Sequence, residues 1–331
     1  MQRDSYFDNY RGMLAVLVVV AHFIGPFRND SHTMKFIETS IYLFHMPAFA
    51  FICAYFSKQN DLLKLVKRIF VPYVGLQIVY HIVLNYVWGR PTDFRLLLPK
   101  YSLWFLLSLF CWRVLIDKII LVKGIVPISF LLGILVGFDT SIGEFAAIGR
   151  TVAFLPFFIL GYKFDKSKFM EFGKRYSVKI CSLISLLLLF GVVYLEAEHI
   201  NFSILSMKNS YEKIGEAQYG WLYRLIAYLC ATLIIYLIAI IIPRGKHWYT
   251  KLGQRTMSIY LLHGLIYKSI EYLTDVYTNI DTRLEMGLTI VFSVSLTLFL
   301  SLRPFHYIVR KLSDVPVEKM LITNGNEQQT D

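Results

Sequence analysis

The sequence predicts an all-α membrane protein with about ten transmembrane helices and both termini in the cytoplasm. The chain has 331 residues, of which 56% are hydrophobic and 17% are charged, whereas a soluble protein carries about 25% charged residues. Its mean hydropathy is +0.52, and apolar runs recur along its whole length. These observations predict one integral-membrane domain over residues 1–331, with a core at about 3–310 and a short cytoplasmic tail at about 311–331.

The apolar runs and the charges between them predict the topology. The runs approach the length that crosses a hydrocarbon layer of about 30 Å, although two of them are short. Lys and Arg concentrate in cytoplasmic loops, and with both ends inside, the inner segments hold about twice as many of these residues as the outer segments. This bias explains the net charge of +11, so no nucleic-acid partner is expected. The predicted spans are 12–27, 41–57, 69–88, 102–121, 125–138, 151–164, 177–196, 221–242, 257–273 and 285–303.

The first predicted span has an arginine at its start and a histidine deep inside it. Arg11 and His22 lie on one face of a helix, within about 20° of each other and about 16 Å apart along its axis. Ala15 and Val18 lie between them on this face and leave room for a ligand. Ionisable side chains inside a membrane indicate a functional site. Each residue also has a purely structural interpretation. Arg11 could extend its charged end to the membrane surface, and His22 could be a core residue that forms a hydrogen bond to a neighbouring helix.

Two further histidines lie in predicted spans. His45, in the second span, is expected at a depth similar to that of His22, and His263 lies in the ninth span. Each is equally explained as a packing residue that bonds to a backbone carbonyl. No acidic residue accompanies the histidines at ligand spacing, so no metal is expected.

Charged residues near the membrane surfaces are candidates for binding. Lys67 and Arg68, before the third span, form either an ordinary positive flank or a phosphate site on the cytoplasmic side. Glu144 and Arg150, beside the sixth span, are candidates for contact with a substrate on the outer side. The long outer loop at 196–220 has an aromatic composition that suits either sugar contacts or a membrane-interface belt.

Several stretches resemble the membrane acyltransferase-3 family when they are taken in order. The resemblance covers residues 3 to about 310 and is weaker at 64–68, where the family often has paired arginines. Residues 3–9 and 17–22 are similar to the fucose 4-O-acetylase-like branch of this family. The stretches that carry the resemblance are Arg11 with His22, Phe44-His45-Met46-Pro47, Leu103-Trp104-Phe105, the run from Phe154 to Tyr162, and the run from Ser258 to His263.

The resemblance implies a membrane-bound O-acyltransferase. Such enzymes transfer an acyl group, usually acetyl from cytoplasmic acetyl-CoA, to a hydroxyl of an envelope glycan. By size, and because no extra domain is evident, the chain is most similar to enzymes that modify capsular polysaccharide or exopolysaccharide. The expected partners are the lipid bilayer and a glycan or lipid-linked oligosaccharide acceptor, and the expected location is a bacterial plasma membrane.

A mechanism follows as a hypothesis. Arg11, Lys67 and Arg68 would hold the CoA phosphates, and the pantetheine arm would carry the thioester to His22 along the Ala15/Val18 face. His22 would act as the general base or as an acylated nucleophile. His45, Tyr260 or His263 would orient its ring or stabilise the oxyanion. The alternatives are a polysaccharide exporter or flippase, although no internal repeat is evident, and a scaffold of a polysaccharide synthesis complex.

Overall fold

A computed structural model describes residues 4–58, 61–141 and 145–313, and within these ranges every regular element is helical. The all-α prediction is therefore confirmed. Each of the ten predicted spans coincides with a helix. The α-helices are α1 (Ser5–Ile24), α2 (His32–Tyr55), α3 (Leu62–Leu65), α4 (Val71–Tyr86), α5 (Trp104–Ile119), α6 (Ile125–Leu135), α7 (Ile148–Lys163), α8 (Lys166–Phe172), α9 (Tyr176–Glu196), α10 (Phe202–Ser206), α11 (Gly220–Ile241), α12 (Thr250–Gln254), α13 (Thr256–Leu273), α14 (Arg283–Leu300) and α15 (Arg303–Ser313).

Local sequence signals define the helix ends. The Asp4 carboxylate accepts a hydrogen bond from the backbone N–H of Tyr6 and caps α1, and Gly25-Pro26 turns the chain into a short 3₁₀ segment after it. Thr282 and Glu285 form a reciprocal capping box at the start of α14. Between α3 and α4 the chain forms a π-helical segment, Val66–Phe70, a geometry that is rare and frequent at functional sites.

Six helical segments within the described ranges are long and apolar enough to cross a membrane, judged by length and composition. The remaining predicted spans are helices that are shorter or less apolar; α4 and α5, for example, have 16 residues each and rise about 24 Å. The chain is therefore a membrane protein by its helices. The six segments are Ser5–Asn29, His32–Tyr55, Phe145–Lys163, Tyr176–Glu196, Gly220–Ile241 and Arg283–Leu300.

The apolar surface of the molecule distinguishes peripheral helices from central ones. In α9 only 17% of the apolar window is buried within the protein, and Leu187 and Leu188 are exposed, whereas the window of α2 is 72% buried. Large exposed apolar surfaces are rare in soluble proteins, and a bilayer accommodates them. Helices α1 and α2 therefore form the interior of the bundle, and α9 and α14 face lipid.

Close backbone contacts and buried hydrogen bonds hold α1 and α2 in place. A Cβ atom at Gly161 of α7 would overlap the backbone of Phe51, so glycine allows α2 and α7 to touch. The Tyr6 hydroxyl donates to Ala239 O over 2.7 Å, and the Tyr10 hydroxyl donates to Ile235 O over 3.1 Å, which ties α1 to α11. These contacts fix the position of α1, the helix that carries both principal candidate residues.

Candidate active site

A cavity of about 300 Å³ lies beside the C-terminal half of α1, and it brings together most of the predicted residues of the site. Its lining extends from buried His263 to exposed Lys208. Helices α1, α2, α7 and α13 contribute His22, His45, Arg150 and His263 respectively, and Tyr260 of α13 lies among them. We call this space the histidine cavity.

The three histidine rings are arranged around His22. The ring centroids of His22 and His263 lie 5.2 Å apart, and the Tyr42 ring lies between His22 and His45, at 6.3 Å and 4.8 Å. Among the described residues His22 has no hydrogen-bond partner, and its neighbours are aromatic rings, including Tyr267 at 5.9 Å. Both nitrogens of His22 are therefore available to a ligand.

The other two histidines are held in one tautomer by their own helices. His45 Nδ1 lies 2.8 Å from Ile41 O, and His263 Nδ1 lies 2.9 Å from Ile259 O. Because a carbonyl only accepts, Nδ1 of each ring carries the proton and donates it. In the neutral rings Nε2 is then an acceptor, and His263 Nε2 is buried without a partner among the described residues. These histidines suit the orientation of a neighbouring group better than the stabilisation of an oxyanion.

Cations line the same cavity. The Arg150 guanidinium lies 4.4 Å from the centre of the Trp104 ring, and Lys268 donates to Glu271 over 2.5 Å. Tyr101 next to them adopts a left-handed backbone conformation with φ of 48°, which is strained for a residue with a side chain and is typical of functional sites. Arg150 thus lines the histidine cavity, whereas Glu144 lies outside the described residues.

The Tyr260 hydroxyl donates to the backbone carbonyl of Ser102. This bond uses the only proton of the hydroxyl. Tyr260 must therefore give up this partner before it can donate to an oxyanion.

His22 also lines a second cavity, of about 430 Å³. Arg28 and Glu38 line this cavity as well and form a bidentate ion pair, in which Arg28 Nε and Nη2 each lie 2.5 Å from a carboxylate oxygen of Glu38. Glu271 and Asp275 also line it, and Asp275 is exposed, so the cavity extends to the protein surface. We call this space the acidic cavity; it shares His22, Tyr42 and Tyr267 with the histidine cavity.

A cluster of cations lies at the opposite end of α1. Arg11 donates to the Asp8 carboxylate, and its guanidinium lies 5.3 Å from the Phe56 ring. Cys53 of α2 interacts electrostatically with Arg11 and with Arg113 of α5, and Arg113 also interacts with Arg68.

Cys53 therefore lies within electrostatic range of Arg11 and Arg113, and Arg113 lies within range of Arg68. The sequence analysis missed Arg113. Lys67 is half-buried on the same π-helical segment as Arg68. Arg113 lies within a predicted span, and an intramembrane arginine is itself a signal of function.

The predicted Ala15/Val18 face is open at only one of its two positions. Val18 lines the histidine cavity, but Ala15 is 1% exposed and packs in a cluster with Leu252 and Ile259. Cys53, in contrast, interacts electrostatically with Tyr260, which lines the histidine cavity. Helix α2 therefore borders both sites, since Cys53 lies within electrostatic range of Arg11 and His45 lines the histidine cavity.

The loop at 196–220, which the sequence predicts on the outer side, contributes one aromatic residue to the histidine cavity and one to the packing. Phe202 of α10 lines the histidine cavity, and its ring lies 3.5 Å from the Arg28 guanidinium. Tyr211 is 1% exposed and donates to Ile134 O over 2.8 Å, so it is part of the packing. No signal in the sequence separated these two aromatic residues. Within the described ranges no group of three His, Cys, Asp or Glu side chains is arranged to hold a metal ion.

Comparison with known proteins assigns the family. The family model described as "Acyltransferase domain" matches residues 4–302, a range that includes both cavities and the cation cluster. No curated protein and no solved structure matches the chain. The resemblance carried by Arg11, His22 and the stretches around them is confirmed at the level of the family. The chain belongs to the acyltransferase-3 family and is a membrane acyltransferase.

Proposed function

We propose that the protein transfers an acetyl group from cytoplasmic acetyl-CoA to a hydroxyl of an envelope, capsular or exopolysaccharide sugar across a bacterial plasma membrane. The observation that carries this proposal is the placement of α1. His22 lines two cavities near one end of α1, and Arg11 belongs to a cation cluster at the other end. Helix α1 thus connects a site for the anionic acetyl-CoA donor with a site for the sugar hydroxyl that accepts the acetyl group.

The proposed topology has ten spans with both termini in the cytoplasm. Two observations support it: each predicted span coincides with a helix, and Lys and Arg predominate in the segments assigned to the inside. In this orientation the cation cluster faces the cytoplasm, where acetyl-CoA is present, and the acidic cavity opens on the outer side.

The donor would bind through its phosphates at the cation cluster. Arg11, Arg113 and Arg68 are suited to this role because a guanidinium donates two parallel hydrogen bonds to a phosphate. Arg11 retains donors for a ligand, since its side chain is 30% exposed and its bond to Asp8 uses one of its five N–H groups. The pantetheine arm would then pass Cys53 and Tyr260 and place the thioester carbonyl beside His22, about 16 Å along the helix.

The chemistry at His22 has two forms that the geometry supports equally. In direct transfer, a nitrogen of neutral His22 takes the proton of the sugar hydroxyl. The hydroxyl oxygen attacks the thioester carbonyl, and the carbon–sulfur bond breaks. The proton then passes to the departing CoA sulfur. In the alternative, a nitrogen of neutral His22 attacks the thioester carbonyl, and the carbon–sulfur bond breaks to release the CoA thiolate. The sugar hydroxyl then attacks the acetyl group, the carbon–nitrogen bond breaks, and the hydroxyl proton passes to the thiolate. In both forms a hydroxyl ester and free CoA are produced.

The residues around His22 support these steps. His263 and His45, with Nδ1 bound to helix carbonyls, are positioning residues for the reacting ring. Arg150 and Lys268 place positive charge in the histidine cavity, where the tetrahedral oxyanion develops, and such charge is most effective away from water. The acceptor sugar would approach through the acidic cavity, since the carboxylates of Glu38, Glu271 and Asp275 accept hydrogen bonds from hydroxyl groups.

A transfer assay tests this function. Purified protein is reconstituted in liposomes with radiolabelled acetyl-CoA and an oligosaccharide from the surface glycan, and covalent label on the sugar is measured. His22→Ala is expected to lower kcat about a thousandfold. The matched control His199→Ala removes an exposed outer-loop histidine and is expected to retain activity.

The outcomes separate the alternatives. Near-normal transfer by His22→Ala would refute the role of this histidine. Sugar movement without label would indicate an exporter or flippase, and neither label nor movement with any acceptor would favour a scaffold.

A further inference from the structure

A third cavity, of about 420 Å³, is lined by residues of α12, α14 and α15 and shares no lining residue with the two cavities that His22 lines. Three cations from three separate places line it, and within the described ranges no acidic residue does. Lys251 belongs to α12, Arg255 precedes α13, and Arg303 begins α15. The proposed reaction assigns no role to these three cations.

The apolar part of the lining faces outward. Trp248 is 75% exposed, and Leu298 and Leu302 are 37% and 47% exposed. Leu298 lies in the last turn of α14, a helix that is long and apolar enough to cross the membrane. Trp side chains with an apolar body and a polar N–H are typical of the headgroup level of a bilayer. The lining therefore combines three cations with exposed apolar side chains beside the end of a helix that is suited to cross the membrane.

One cation of the three is held by the protein, and two are available. Arg255 Nη1 donates to Ser301 O over 2.6 Å and joins α13 to the end of α14. Lys251 and Arg303 are exposed and have no ion pair among the described residues. Arg303 also begins an eleven-residue helix, whose positive N-terminal end adds to the attraction for an anion.

We propose that this cavity binds the phosphate headgroup of an anionic phospholipid, with an acyl chain along the exposed face of α14. The charge selects the phosphate, and the exposed leucines and Trp248 select a lipid rather than a soluble anion. The proposal depends on the chain being a membrane protein and not on the acetyl-transfer mechanism, so either can fail without the other.

Lipid binding by the full chain tests the proposal. The protein is purified in detergent, and bound dioleoyl phosphatidylglycerol is counted by native mass spectrometry, with phosphatidylcholine, inorganic phosphate and acetyl-CoA as separate probes. The double variant Lys251→Gln/Arg303→Gln removes the two exposed cations and leaves Arg255 in place. We expect its affinity for phosphatidylglycerol to fall about 25-fold, or roughly fivefold for each cation.

The matched control Lys168→Gln/Lys174→Gln removes two exposed cations near α8, and we expect it to bind phosphatidylglycerol as the wild type does. Unchanged binding by the double variant would overturn the proposal, and so would an equal loss in the control. The proposal would also be overturned if the wild type bound inorganic phosphate or acetyl-CoA as well as it binds phosphatidylglycerol and the double variant lost that binding. Such a result would identify a site for soluble anions. Monodisperse elution of both variants verifies that they fold.

Discussion

Replacement of Arg11 tests the proposed donor site, because the substitution is expected to change stability and donor binding by separate routes. Arg11 donates to Asp8, whose side chain is 2% exposed, while the Arg11 side chain is 30% exposed. Arg11→Gln therefore leaves a buried carboxylate without its cation. Loss of one partner of a buried pair costs about 3–5 kcal/mol, and the partial exposure of Arg11 places the expected loss near the lower value.

The effect on the donor has a different origin. A hydrogen bond between charged groups contributes about 1.5–3 kcal/mol, which corresponds to a 10- to 150-fold increase in the KM for acetyl-CoA when Arg11 is replaced. We expect kcat to change little, because Arg11 lies about 16 Å from His22 along the helix.

The double variant Asp8→Asn/Arg11→Gln separates the two effects. It removes both charges, so most of the lost stability is expected to return, while the KM for acetyl-CoA stays high. The matched variant Asp8→Asn retains the guanidinium and is expected to bind acetyl-CoA at least as well as the wild type. Thermal unfolding in detergent and initial rates over a range of acetyl-CoA concentrations measure both quantities. A stable double variant with the wild-type KM would refute the donor site at Arg11.

Three further substitutions test the route, the acceptor cavity and the packing. Cys53→Phe should block passage of the donor and abolish transfer, whereas Cys230→Phe, the same change on α11, should not; equal activities would place the route elsewhere. Glu38→Gln should raise the KM for the acceptor sugar about tenfold and leave the KM for acetyl-CoA unchanged. A change in the KM for acetyl-CoA alone would contradict the assignment of the acidic cavity. Gly161→Val should destabilise the protein by about 1–3 kcal/mol or more, because its side chain would overlap the backbone of α2. Gly191→Val enters open space and should unfold at the wild-type temperature, so matching losses would argue against the close contact of α2 and α7.

The helical segments and the relation between Arg11 and His22 could be predicted because both depend on local chain geometry. An apolar run predicts a helix from its composition, and eleven residues of helix return to nearly the same direction whatever surrounds them. The depth shared by His22 and His45 stays a prediction. It was inferred from the distance of each histidine to the outer end of its predicted span, whereas α2 begins at His32, well before the predicted start of that span.

The residues that join the site from distant parts of the chain could not be predicted in this way. Arg113, Glu38 and Lys268 belong to different helices, and nothing in their local sequence states which neighbours those helices have. The same holds for Ala15, which was expected to leave room for the donor and instead packs against Leu252. Whether a small residue opens a groove or allows close packing depends on the helix opposite to it.

By itself, the sequence determined that the protein is helical, that it belongs in a membrane, and that one helix carries an arginine and a histidine on the same face. Hydropathy and helical periodicity are properties of single segments, so no partner helix is needed to read them. Only the tertiary structure decided that His22 lines two cavities and that Cys53 lies within electrostatic range of both Arg11 and Arg113, because interhelical contacts depend on side-chain packing between segments that are far apart in the chain.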